Sequence, residues 1–141
     1  VLGSEQEQLT GGQLNAAIAN SVVQIHNQYL GRGPSKGQAF HRDNVVVVLM
    51  RETLTKAERS LAESGRKDHV LNMRQEFQRT MEGDLSGAIE ELTGCKVLAF
   101  MSDNHVAPDM AAELFVLDRP VPQAPAGDNG AAEPGGGADR G

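Results

Sequence analysis

Tryptophan is absent from this chain, and four phenylalanines and one tyrosine are the only aromatics among its 141 residues. Any core must therefore be filled by aliphatic side chains and methionine. Cysteine occurs once, at Cys95, which excludes an internal disulfide. A concentrated basic face is also missing. The net charge is −6 with acids and bases interspersed, which argues against a nucleic-acid partner. No apolar run is long enough for a membrane helix, so no direct membrane insertion is expected. The opening Val1-Leu2-Gly3-Ser4-Glu5 has neither the basic flank nor the apolar centre of an export signal. Together with the lone thiol, this makes a reducing cytoplasm the expected compartment.

What is present begins with Val45-Val46-Val47-Val48-Leu49-Met50, an unbroken apolar run led by four valines. Valine is stiff at χ1 and favours strands, and the run has strand length rather than helix length. It reads as the central strand of a small sheet, apolar on both faces. Upstream, Thr10 and Gln13 have capping-box spacing. Leu14, Ile18, Val22, Ile25 and Tyr29 then recur at helical spacing, so a helix is expected over 11–30, ended by Gly31 and Pro34. Gly37 to Arg42 reads as a short strand. Asp43-Asn44 supplies a two-residue hairpin, since both residue types tolerate positive φ.

Thr55 and Glu58 form a second capping box, opening a short helix with Leu54, Ala57 and Leu61 inward. A long helix over about 66–93 follows, with Val70, Met73, Phe77, Met81, Leu85, Ala88, Ile89 and Leu92 as its stripe. Gly83 and Gly87 lie inside it. Each costs about 1 kcal/mol against alanine, so a bend or close packing is expected there. Cys95–Met101 and Ala111–Leu117 read as two more strands, joined by a polar connection over 102–109. From Arg119 the chain is Pro, Gly, Ala and Asp with almost no large apolar residue, a composition that cannot offset its own ordering entropy. The expected organisation is a disordered 1–9, one α+β domain over 10–118, and a disordered tail over 119–141. The element order α-ββ-αα-ββ predicts a two-layer sandwich: a four-stranded, mainly antiparallel sheet with helices on one face. The other sheet face would be open and partly apolar, and a homodimer would cover it.

Three groups of residues could carry chemistry. Gly31-Arg32-Gly33-Pro34-Ser35-Lys36-Gly37 invites a phosphate-loop reading. It follows a helix C-terminus, however, where the dipole is negative, and lacks the Gly-Lys-Ser/Thr ending. A helix stop with a turn is the simpler reading; Arg32 and Lys36 gripping a small anion is the alternative. Asp103, His105 and Asp109 put two carboxylates and an imidazole within seven residues. These are metal-ligand types at no recognised spacing, so a turn or a ligand contact is expected and no metal or cofactor. The charged helix residues, Glu58, Arg59, Glu63, Arg66, Arg74, Glu76 and Arg79 among them, read as solvated faces. Arg51 is the exception, because it ends the central strand. Cys95 reads as a buried, inert thiol, and His26 as part of the polar side of the first helix.

Several separated motifs occur in a familiar order. They are Tyr29–Lys36, Asp43–Leu49, Leu54-Thr55-Lys56-Ala57-Glu58-Arg59, Gly65-Arg66, Phe77-Gln78, Leu92-Thr93-Gly94, Ser102–His105 and Pro108-Asp109. Over 12–117 the chain resembles the MpsC-like bacterial family. That family's name comes from a membrane-potential-generating, inorganic-carbon uptake system. The resemblance implies a small accessory or regulatory protein, with a membrane transport subunit as partner. It brings no catalytic residue. The motif residues Gly31, Arg32, Gly33, Pro34, Arg51, Arg59, Asp103, His105 and Asp109 are candidates for a shared site. Two other readings stand beside it. One is a small enzyme or anion binder using Asp103 and His105 with Arg32 or Arg51. The other is a structural assembly subunit.

Overall fold

The computed structural model describes residues 7–31 and 36–124. Helix α1 (Gly11–Leu30) is followed by strands β1 (Lys36–Arg42) and β2 (Val45–Arg51), helices α2 (Lys56–Glu63) and α3 (Lys67–Thr93), and strands β3 (Val97–His105) and β4 (Met110–Leu117). The four strands form one antiparallel sheet in the order β1-β2-β4-β3. This is the α+β arrangement that the sequence predicts. Residues 1–6, Arg32–Ser35 and 125–141 lie outside the described residues, so the N-terminal end and most of the expected tail do too.

The sheet is held by two hairpins. Asp43 takes φ 54° in the β1–β2 turn, as the Asp-Asn pair predicts. Strands β2 and β4, far apart in sequence, pair along their whole length from Val45↔Val116 to Arg51↔Met110. On the helix side, Val46, Val48 and Met50 alternate inward from β2, and Ala111, Phe115 and Leu117 from β4. Leu14, Ile18 and Val22 of α1 and Met81, Leu85 and Ile89 of α3 close over them. Fully burying each such large aliphatic contributes roughly 1.5–3 kcal/mol, so this layer is what holds the fold. Gly37 lets α1 approach β1 closely. A Cβ there would lie 3.0 Å from Val23 Cγ2. Past β4 the chain stays packed as far as Val121, which is 2% exposed and donates its N–H to the Asp43 carbonyl.

Several local expectations need correction. Thr10 makes no side-chain cap bond, although the Thr55–Glu58 capping box is complete in both directions. Helix α2 turns Glu58 inward rather than Ala57 and Leu61; Leu61 is 39% exposed. In the first half of α3 the buried positions are Val70, Arg74 and Gln78, not Met73. No close packing surrounds Gly83 or Gly87, since an added Cβ would meet nothing within 4 Å at either. Strand β3 runs on through Ser102–His105, so the polar connection shrinks to the turn after His105. Cross-strand bonding to β4 holds these polar residues extended, which outweighs the turn preference of Asp and Asn.

Candidate functional site

The face of the sheet turned away from the helices is made of four cross-strand rows. Register places Phe40, Val47, Leu114 and Met101 in one line, one residue from each strand. Beside it on one side lies Arg42–Val45–Val116–Ala99, and on the other Gln38–Leu49–Ala112–Asp103. The last row is Lys36–Arg51–Met110–His105. The central line is apolar across the whole sheet, yet Phe40 is 52% and Met101 54% exposed. Among the described residues no helix covers this side.

Three of the residues singled out by the sequence, Lys36, Arg51 and His105, therefore share one row, with Asp103 in the next. At the usual strand spacing the row spans about 14 Å. Lys36 and Arg51 are direct cross-strand neighbours, and Arg51 Nη1 lies 3.9 Å from Met110 Sδ. His105 donates from Nδ1 to the Pro108 carbonyl at 2.8 Å, because a carbonyl can only accept. Asp103 accepts from the Asn104 N–H. A groove of about 280 Å³ runs beside Asp103, His105 and Leu49. Both Asp103 and His105 are exposed. The face thus offers an apolar strip with a basic margin and one acid, all open to solvent.

Arg59 and Asp109 also meet, at 3.9 Å, but at the entry to α2. The Asp109 carboxylate accepts from the Thr53 N–H and hydroxyl and from the Leu54 N–H, fixing the loop between β2 and α2. Its oxygens are thus engaged by this loop and by Arg59. Gly31 ends α1 with φ 76°. Arg32, Gly33 and Pro34 lie outside the described residues, so their proposed anion contact has no geometry.

Beneath the sheet are polar residues that sequence reasoning assigned to solvent. His26 is fully buried, and its Nε2 lies 2.9 Å from Glu113 Oε2, itself fully buried. Arg74 is 1% exposed and grips Glu58 with two bonds, Nε to Oε2 at 2.8 Å and Nη2 to Oε1 at 2.7 Å. It also donates to the Thr53 carbonyl. Burial pushes the Glu58 carboxyl up, but the Arg74 guanidinium and the Thr55 N–H outweigh this and hold it below its usual range. Across the two long helices, the Tyr29 hydroxyl donates to Asp84 at 2.7 Å, a bond that pushes the phenol pKa up. The signals for these burials were positional. His26 continues the four-residue series Leu14, Ile18, Val22, and Glu113 alternates with Ala111 and Phe115. Cys95 is buried, as expected, with Sγ near the Thr93 and Pro120 carbonyls.

Among the described residues no three His, Cys, Asp or Glu side chains are grouped to hold a metal ion, and no helix is long and apolar enough to cross a membrane. No solved structure matches the chain. The uncharacterized protein YbcI of Bacillus subtilis (strain 168) is 28% identical over 95 residues, covering 65% of this chain and 75% of that protein. The model of the family described as "Na+-translocating membrane potential-generating system (MpsC)" matches residues 10–119. With the whole four-stranded sheet and all three helices inside that match, this chain belongs to the MpsC family.

Proposed function

We propose that this chain is a non-catalytic accessory subunit of a membrane-potential-generating, Na+-translocating system, tied to inorganic-carbon uptake, and that it acts by docking on a transport subunit. The observation carrying this reading is the line Phe40–Val47–Leu114–Met101, an apolar strip crossing all four strands with none of the described helices over it. Its margin favours an acidic partner segment. Among the described strand residues, Arg42, Lys36, Arg51 and His105 stand on this face against the single acid Asp103, although the whole chain carries −6. A basic rim of this kind acts mainly on the association rate and on orientation, while the apolar strip supplies the affinity.

The test is co-purification of the tagged chain with the detergent-solubilised transport subunit. Leu114→Lys should abolish capture, and the double change Lys36→Glu/Arg51→Glu should slow association and remove its salt dependence. Capture that survives Leu114→Lys with a correctly folded variant overturns the reading. A second reading, pairing of two copies through the same strip, is supported by its exposed aromatic and methionine ends. It predicts a dimeric mass in light scattering that Leu114→Lys reduces to a monomer. Facing two such basic margins against each other is the unfavourable part of that arrangement.

A further inference from the structure

The helix side of the sheet opens at its β3 edge into a crevice of about 220 Å³ between α3 and β3. Gln75, Gln78, Arg79, Glu82, Phe100 and Ser102 line it. Two features set this crevice apart from an ordinary surface groove. Gln78 is 5% exposed, yet its Nε2 has no hydrogen-bond partner, and Ser102 Oγ is buried without one as well. Leaving such a group unmade costs on the order of 1–3 kcal/mol each, so two in one crevice call for an explanation. Either orientation of the Gln78 amide presents a hydrogen-bonding atom there.

The rim supplies the charges. Arg79 and Glu82 are one helical turn apart on α3, and among the described residues neither forms an ion pair. The floor continues inward. Ser102 is the cross-strand neighbour of Glu113, whose Oε1 is also buried and unpartnered. Phe100, tilted against Phe115 with ring centroids 5.2 Å apart, forms the apolar wall. One cation, one anion, two amides and a hydroxyl thus surround a volume of several water molecules.

We propose that this crevice binds a small zwitterionic amino acid. The carboxylate takes the planar fork of Arg79 and a hydrogen bond from the Gln78 amide. The ammonium faces Glu82, and the Ser102 hydroxyl bonds whichever end reaches the floor. A bare carboxylate would have to sit beside Glu82 uncompensated, and a bare amine beside Arg79, so the paired charges select a ligand carrying both. The site lies on the opposite side of the sheet from the docking strip and does not depend on it.

The test titrates the full chain with glycine at constant ionic strength, following the Gln78 side-chain amide resonance. A saturable shift is expected, with acetate and methylammonium each at least about tenfold weaker. Arg79→Gln and Glu82→Gln, both on the exposed side of the helix, should each weaken glycine by a similar factor. Gln78→Met, followed instead by the Ser102 backbone amide resonance, should abolish binding while raising the melting temperature, because it removes a buried polar group that lacks a partner. Absence of saturation with glycine, equal response to acetate, or indifference to both rim substitutions overturns the proposal.

Discussion

His26 Nε2 lies 2.9 Å from Glu113 Oε2, with both side chains fully buried, so one polar bond ties α1 to the centre of the sheet. The unpaired atoms are His26 Nδ1 and Glu113 Oε1. A pair this deep costs desolvation on both sides and is maintained only as a pair. Removing one partner leaves the other buried alone. Glu113→Ala should cost about 3–5 kcal/mol in urea unfolding. His26→Leu combined with Glu113→Leu should be less damaging than the sum of the two single changes. Strict additivity in that double-mutant cycle would mean that the bond carries no coupling.

The Glu58–Arg74 pair makes a prediction about acid. Its carboxyl titrates below the ordinary 4.5 in the folded chain, so the stability it contributes is complete above that value and is lost as pH falls through the folded pKa. Melting temperatures of wild type and Glu58→Gln should therefore differ most near neutral pH and converge in the acid range below 4.5. A gap that stays constant down through the acid range would contradict the linkage.

Thr55 is the outer half of the α2 capping box, accepting from the Glu58 N–H at 3.2 Å. Thr55→Ala should lower stability by about 0.5–2 kcal/mol, and Thr55→Ser by much less. Equilibrium denaturation of the two variants reads this directly. Thr10→Ala is the control: with no cap bond at Thr10, it should leave the protein nearly unchanged.

Gly37 tests how closely α1 lies on β1. Gly37→Ala places a methyl 3.0 Å from Val23 Cγ2, and overpacking of this kind costs about 1–3 kcal/mol. Val23→Ala should recover part of that loss in the double variant. No recovery would show that the strain falls on the backbone instead.

The fold was legible because its signals agree across levels. The valine run, the Asp43-Asn44 turn and the Thr55–Glu58 box each match the structure that surrounds them. Errors arose where residue chemistry was allowed to outvote position. His26 and Arg74 each sit four residues beyond a buried aliphatic on their helix, but their polarity suggested solvent. Burial of such groups is decided by partners on other elements, Glu113 for His26 and Glu58 for Arg74, which no local window contains. The candidate site was legible only in part. Lys36, Arg51 and His105 stood out as separate points, and the register that aligns them in one row depends on the β2–β4 ladder, which joins segments far apart in sequence.

That ladder has a consequence during synthesis. Each hairpin can close from local contacts as soon as its own turn has left the ribosome, but β2 waits with one edge bare until β4 arrives two helices and a strand later. For that interval the most apolar segment of the chain is an unprotected template for other nascent chains. Slowing translation between Arg51 and Met110 should therefore lower soluble yield, while the finished protein's stability stays the same.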